Sequence, residues 1–209
     1  MKQSVTRFKS LAIGLKELER FVRDPRHLST GKPLKGLGGM RPREAWANWL
    51  LCAAVNFDWQ AARLSFTSDP DSDGVIYDSQ TETSWQTEHI LVPRPRATEG
   101  RAASEEAIGA QILKAVAKKQ AKGGAAYASG KELVVFLDAG GAAWFPNRVA
   151  RQLPEPMDFN AVWVVALQGV ESGEYLYAVT RLDATNGDAP IWLVRIGKDF
   201  DSWKVARIQ

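Results

Sequence analysis

Three stretches of the chain carry apolar residues at the three- and four-residue spacing of an amphipathic helix. They cover residues 4–23, 43–55 and 104–122. Pro42 precedes the second stretch and Ser104 the third, and proline and serine are both favoured at helix N-termini. We therefore predict three helices, each with one face turned toward a core.

Runs of apolar residues bounded by Gly, Pro, Asn and Asp predict strands elsewhere in the chain. The run after Glu132, LVVFLD, is continuously apolar, as is typical of a strand buried on both faces. The order of helices and strands predicts an α/β (α+β) fold in which a mixed central β-sheet is flanked by helices. The predicted strands cover residues 62–67, 74–77, 85–92, 132–139, 161–168, 174–183 and 191–197.

Length and composition indicate an ordinary globular protein. The 209 residues are 45% hydrophobic and 24% charged, which favours one domain over residues 1–209 and argues against a disordered or fibrous chain. The single cysteine, Cys52, cannot form an internal disulfide. With no signal-peptide pattern and no apolar stretch long enough to cross a bilayer, we expect a cytoplasmic protein without a membrane partner.

Charge is distributed unevenly along the chain, although the net charge is only +3. Residues 1–43 contain eleven Lys or Arg residues and three acidic ones, whereas residues 69–88 contain six acidic residues and no Lys or Arg. A basic segment beside an acidic one would suit a metal-dependent enzyme that acts on a polyanion. A solvated helix face next to an acidic loop explains the same pattern.

The acidic segment carries the motif that bears on function. Pro70-Asp71 is followed by Asp73, directly before the predicted strand over residues 74–77, and Gln86-x-Glu88 lies on the next strand. In this context the order helix, three strands, helix and strand over residues 40–140 resembles the core of the restriction-endonuclease-like PD-(D/E)xK nucleases. An N-terminal basic helix and a C-terminal strand extension would flank this core.

The resemblance implies Mg²⁺-dependent or Mn²⁺-dependent hydrolysis of phosphodiester bonds in nucleic acid, with DNA favoured over RNA. Asp71 and Glu88 would bind the metal ion, and Asp73 would be a further ligand. Gln86 and Glu44, the latter from the second helix, would complete the catalytic set. Lys114 and Lys118, one helical turn apart, would contact the nucleic-acid phosphates.

The sequence departs from the family at one position that matters. The family's second motif places an acid and a lysine two residues apart, and neither Gln86-x-Glu88 nor Glu88-x-Ile90 contains the lysine. A catalytically inactive nuclease-like protein that binds nucleic acid or another protein is therefore an alternative. In an unrelated α+β domain, Asp73 would be a turn residue and Glu44 would only stabilise a helix N-terminus. The sequence does not distinguish a monomer from a homodimer.

Overall fold

The computed structural model describes residues 8–69, 71–93, 104–138, 143–183 and 185–209. Within these ranges the chain forms one eight-stranded sheet in which neighbouring strands follow each other in sequence. The strands are β1 (Leu64–Asp69), β2 (Ser72–Asp78), β3 (Thr83–Val92), β4 (Lys131–Leu137), β5 (Ala161–Glu171), β6 (Glu174–Leu182), β7 (Ile191–Ile196) and β8 (Trp203–Arg207).

The sheet is mixed. Strands β1, β2 and β3 form an antiparallel meander, whereas β3, β4 and β5 are parallel to one another. The remaining strands, up to β8, are again antiparallel. Parallel neighbours cannot be joined by a tight turn, so the chain crosses over through helices between β3 and β4 and between β4 and β5.

Five α-helices accompany the sheet in the described part of the chain: α1 (Leu11–Arg23), α2 (Arg26–Thr30), α3 (Pro42–Asp58), α4 (Glu105–Ala128) and α5 (Pro146–Ala150). A short 3₁₀ turn, Lys35–Leu37, precedes α3. Ser10 and Ser104 cap α1 and α4 by accepting hydrogen bonds from the backbone N–H groups of Ile13 and Ala107. None of these helices is both long and apolar enough to cross a membrane.

Two apolar cores lie on opposite faces of the sheet. Helix α3 is buried from Glu44 to Ala54 because it lies between the sheet on one side and α1 and α2 on the other. The stacked rings of Trp46 and Trp49, with centroids 5.0 Å apart, belong to this core. On the other face, α4 packs against β3 and β4, and its residues Ile108, Ile112 and Val116 belong to the second core.

The predicted mixed sheet flanked by helices is confirmed, and all three predicted helices and seven predicted strands are present. The helix predicted over residues 4–23 begins at Leu11 in the structure, and residues 4–7 lie outside the described ranges. Three elements were not predicted: α2, α5 and β8. The two helices have only five residues each, and β8 is a mostly exposed strand at the edge of the sheet, so none has a strong apolar period.

Candidate functional site

Two carboxylates lie side by side where β2 meets β3. Gly74 pairs with Thr87 in the antiparallel ladder, so the residues next to this pair, Asp73 and Glu88, are neighbours across the two strands. The backbone N–H of His89 donates a hydrogen bond of 2.8 Å to Asp73 Oδ2. The ladder therefore fixes both the position of the two acids and the orientation of one of them.

Three side chains from α4 and β4 surround the Glu88 carboxylate. Lys119 Nζ lies 3.0 Å from Glu88 Oε2, and Lys131 Nζ donates a hydrogen bond of 2.8 Å to Glu88 Oε1. The Tyr127 hydroxyl also donates to Glu88 Oε2. Lys119 Nζ lies 3.8 Å from Asp73 Oδ2 as well. One ammonium group thus contacts both acids.

These contacts stabilise the charged forms of Glu88 and Lys119. Burial of the Glu88 carboxylate alone would raise its pKa, but hydrogen bonds from Lys131, Tyr127 and Lys119 outweigh burial and hold the pKa below its usual value. Burial would likewise lower the pKa of Lys119, yet the hydrogen bond to Glu88 raises it overall. Both groups are therefore ionised at neutral pH.

At Asp73, the effects that raise the pKa outweigh those that lower it. Burial raises its pKa, and the negative charges of Glu44 and Glu88 add to this effect. The hydrogen bond from His89 and the charge of Lys119 only partly oppose it. The ionised form of Asp73 is therefore less well compensated than that of Glu88, and a cation beside Asp73 would stabilise it.

A break in α4 places Tyr127 against Glu88. Gly124 has φ 59° and ψ −168°, a conformation open to glycine, and it interrupts the helix before Tyr127. The Tyr127 ring then packs on the backbone of Gly123, where an added Cβ would lie 2.3 Å from Tyr127 Cβ. The Lys131 ammonium lies 4.4 Å from the centroid of the same ring. The glycine pair thus sets the position of a hydrogen-bond donor to the site.

A buried polar network supports the site from the α3 face of the sheet. Asn48 Oδ1 accepts hydrogen bonds from Thr87 Oγ1 at 3.0 Å and from His89 Nε2 at 3.2 Å. An amide oxygen can only accept, so this contact requires the tautomer of His89 that carries its proton on Nε2. Burial lowers the pKa of His89 to about 3, and the charges of Arg43 and Lys119 act in the same direction. His89 is therefore a neutral structural side chain.

Glu44 lies buried at the N-terminus of α3. Its carboxylate accepts hydrogen bonds from the backbone N–H of Arg41 at 2.8 Å and from Arg41 Nη1 at 2.9 Å. Glu44 therefore stabilises the start of the helix, and its negative charge also contributes to the raised pKa of Asp73. The contacts match the helix-stabilising interpretation, and a catalytic role for Glu44 stays a prediction.

The other predicted site residues lie apart from these contacts. Asp71 is exposed in the turn between β1 and β2, where its backbone N–H donates to Asp69 Oδ1, and Pro70 lies outside the described residues. The acid beside Glu88 is Asp73, not Asp71. Gln86 Nε2 donates a hydrogen bond of 2.8 Å to Asp69 Oδ2. Lys114 and Lys118 are exposed on α4.

The sequence analysis did not single out the three side chains that hold Glu88. A signal for Lys119 was present, because it lies seven residues after Ile112 and three after Val116 and so continues the buried stripe of α4. Lys131 begins a buried strand and follows Gly130, which also marked it as a residue at the edge of the core. Tyr127 carried no comparable signal.

The residues at this site suit a hard cation in type, but their number is small. Within the described ranges, no three His, Cys, Asp or Glu side chains converge into a metal-binding group. Mg²⁺ is nevertheless usually bound through only one or two carboxylates, with water and substrate phosphates as the other ligands. Asp73 and Glu88 match that smaller number of carboxylates, and both oxygens of Glu88 already accept contacts from Lys131, Tyr127 and Lys119.

Comparisons with models of protein families, with curated proteins and with solved structures gave no match. Function is therefore inferred from the chemistry of the site itself.

Proposed function

We propose that this protein is a Mg²⁺-dependent nuclease with a restriction-endonuclease-like core, in which Asp73 and Glu88 are the acidic pair. The observation that carries this proposal is the contact of one ammonium, Lys119 Nζ, with both acids at 3.8 and 3.0 Å. The sequence lacks a lysine two residues after the acid on β3. In this proposal the ammonium group of Lys119, on α4, takes the place of that lysine, because it lies beside both acids in the folded protein.

The order of elements supports the same assignment. Helix α3 and the β1–β3 meander are followed by α4 and by β4, which is parallel to β3. This is the order helix, three strands, helix and strand that the resemblance implied. The acids lie on the second and third of these strands.

Asp73 and Glu88 would hold the ion, and Asp73 gains most because its charge is the less compensated of the two. A bound Mg²⁺ supplies electrostatic polarisation of a phosphate and a lower pKa for a coordinated water. Mn²⁺ would bind the same oxygen ligands. Glu44 acts on Asp73 through its charge from the start of α3, so it is a positioning residue in this proposal.

The lysine and tyrosine side chains around the acidic pair have different roles in this proposal. Lys119 stays protonated, so it can donate hydrogen bonds to a phosphate oxygen and stabilise developing negative charge, but it cannot serve as a general base. Lys131 and Tyr127 hold Glu88 in one orientation through both carboxylate oxygens. Lys114 and Lys118 are exposed on the same helix as Lys119 and are available for phosphate contacts along a bound strand of DNA.

The decisive experiment compares two lysines of α4. Lys119→Met removes the ammonium from the acidic pair, whereas Lys122→Met removes an exposed charge of the same helix that has no role in the proposal. Cleavage of single-stranded and double-stranded DNA and RNA is measured at saturating nucleic acid with Mg²⁺, with Mn²⁺ and with EDTA. We expect Lys119→Met to lower the cleavage rate about a hundredfold or more, as for loss of one electrostatic donor, and Lys122→Met to leave it nearly unchanged. Equal rates for the two variants, or no metal-dependent cleavage by the parent, would refute the proposal.

A catalytically inactive, nucleic-acid-binding protein is the second candidate, and one observation favours it. Both oxygens of Glu88 already accept contacts from Lys131, Tyr127 and Lys119, so the pair resembles a closed ionic network. In that case Mg²⁺ would not raise the melting temperature of the parent. Binding of nucleic acid would weaken with salt and with loss of Lys114 and Lys118, and it would be indifferent to Asp73→Asn.

A further inference from the structure

A cavity lies on the α3 face of the sheet, opposite the face that carries Glu88. Its volume is about 410 Å³, within the range of roughly 300–1,000 Å³ that is usual for small-molecule sites. Four indole rings line it, those of Trp59 at the end of α3, Trp85 on β3, Trp163 on β5 and Trp192 on β7. The Trp163 and Trp192 rings have centroids 5.8 Å apart and are tilted by 39°. The walls are therefore aromatic over much of their area.

One carboxylate in this cavity has hydrogen-bonding capacity left over. Glu132 Oε2 accepts a hydrogen bond of 2.9 Å from Trp163 Nε1. Burial raises the pKa of Glu132, and the Trp163 N–H, the charge of Arg181 and the Trp85 N–H oppose that effect only in part. The other lining acid, Asp58, has more partners, because it accepts from Trp192 Nε1 at 2.8 Å and pairs with an arginine of β8 at 3.3 Å. Trp85 Nε1 is buried and makes no hydrogen bond of ordinary length among the described residues.

We propose that this cavity binds a nucleobase with its N–H edge toward Glu132, and that guanine fits it best. Aromatic walls favour a flat π system, since bases stack on indole rings. A carboxylate oxygen with spare lone pairs favours a ligand with two adjacent N–H donors, which guanine presents at N1 and at its exocyclic amine. Without such a donor, the buried Glu132 carboxylate would be poorly compensated.

The charges around the cavity are balanced. The Arg181 guanidinium lies 5.8 Å from the centroid of the Trp163 ring and acts on Glu132 through its charge. A second arginine, Arg207, lies 5.4 Å from the centroid of the Trp192 ring and pairs with Asp58. A cationic ligand would therefore find no unbalanced negative charge here, whereas a neutral ring with N–H donors needs none.

This inference is independent of the proposed nuclease activity, because the sheet separates the two sites. Glu132 and Glu88 therefore provide a matched pair of variants. Guanosine binding is measured by isothermal titration calorimetry for the parent, Glu132→Gln and Glu88→Gln. We expect Glu132→Gln to weaken guanosine binding about tenfold or more while leaving nuclease activity unchanged, and Glu88→Gln to leave guanosine binding unchanged. Gln keeps the shape of the side chain and an oxygen for Trp163, so the variant should melt like the parent.

Inosine, which lacks the exocyclic amine, should bind more weakly than guanosine because one N–H donor is lost. A second titration distinguishes the source of the base, using an oligonucleotide with one unpaired guanine and the same oligonucleotide with an abasic position. If only the oligonucleotide with the unpaired guanine competes with guanosine, the natural ligand is a base within nucleic acid. If neither oligonucleotide competes, the natural ligand is a free nucleoside. No guanosine binding by the parent, equal binding by Glu132→Gln, or tighter binding of arginine methyl ester than of guanosine would overturn the inference.

Discussion

Lys131 and Glu132 are consecutive residues of β4, and their side chains lie on opposite faces of the sheet. Lys131 Nζ lies 2.8 Å from Glu88 Oε1 on the α4 face, and Glu132 Oε2 accepts a hydrogen bond from Trp163 on the α3 face. The alternation of side chains along a strand produces this arrangement. A slip of one residue in the register of β4 would exchange the two side chains, so the pairing of β4 with β3 and β5 determines both sites at once.

Gly74 admits no side chain, and Gly74→Ala should destabilise the protein. An added Cβ would lie 2.2 Å from Asn48 Nδ2 and 3.1 Å from Thr87 Oγ1. Asn48 cannot move aside without losing its hydrogen bonds to Thr87 and His89. We expect a loss of about 1–3 kcal/mol in the free energy of unfolding, measured by urea denaturation. Gly169→Ala is the matched control on β5, because an added Cβ there meets nothing within 4 Å, and its effect should stay within about 0.5 kcal/mol.

Neutralising the two acids of the candidate site should change stability in opposite directions. Glu88→Gln leaves Lys119 and Lys131 without their carboxylate, so the free energy of unfolding at pH 7 should fall by about 2 kcal/mol or more. Asp73→Asn removes an under-compensated buried charge and keeps an oxygen for the His89 N–H, so stability should stay equal or rise. Equal losses from both variants in urea denaturation would contradict the assigned charge balance.

The same charge balance predicts how stability depends on pH. The pKa of Glu88 is lowered in the folded protein, so its stabilising contribution is present above the ordinary value of 4.5 and is lost as the pH falls below it. The difference in the free energy of unfolding between the parent and Glu88→Gln should therefore become smaller as the pH falls. The pKa of Asp73 is raised, so the folded state takes up a proton more readily than the unfolded chain. Relative to Asp73→Asn, the parent should gain stability as the pH falls toward 3.8.

An arginine determines the titration of Asp78 at the end of β2. Hydrogen bonds from Arg63 lower the pKa of Asp78 to about 2, with further bonds from the backbone N–H of Gln80 and the Thr81 hydroxyl. Arg63→Met should raise the pKa of Asp78 toward 3.8, as followed by NMR titration of the carboxyl carbon. Arg26→Met provides the crossed control, since it should raise the pKa of Asp24, which is also about 2, and leave Asp78 unchanged.

Cys52 should be unreactive in the folded protein. Its side chain has no exposed surface, and burial raises the pKa of the thiol well above its ordinary value. Since the thiolate is the reactive form, Ellman's reagent should modify Cys52 only as the protein unfolds. The expected result is no reaction in buffer at pH 8 within the time in which free glutathione reacts completely, and one equivalent of released chromophore in denaturant. Rapid modification of the native protein would show that the α3 core opens readily.

The sequence by itself determined the larger elements of the fold, because helical and strand periods are local properties of the chain. Helices α1, α3 and α4 and seven of the eight strands were predicted from such periods, and their order indicated a mixed sheet. The short helices α2 and α5 and the exposed strand β8 were missed, because their positions depend on the body against which they pack. The sequence also identified the acidic segment, with Asp73 and Glu88 among its candidates, and Glu44 on α3 as a further candidate.

The tertiary structure alone decided which charged groups meet. Asp73, not Asp71, is the neighbour of Glu88, because the β2–β3 register places Gly74 opposite Thr87. Lys119 reaches both acids although it is 31 residues from Glu88 and 46 from Asp73, and the nearby Lys114 and Lys118 are exposed. Such contacts depend on the rotation of α4 about its axis and on its packing over the sheet. The spacing of Lys119 after Ile112 and Val116 indicates that it faces the sheet, but the acids that it meets are determined by the fit between two surfaces that form only when the chain is folded.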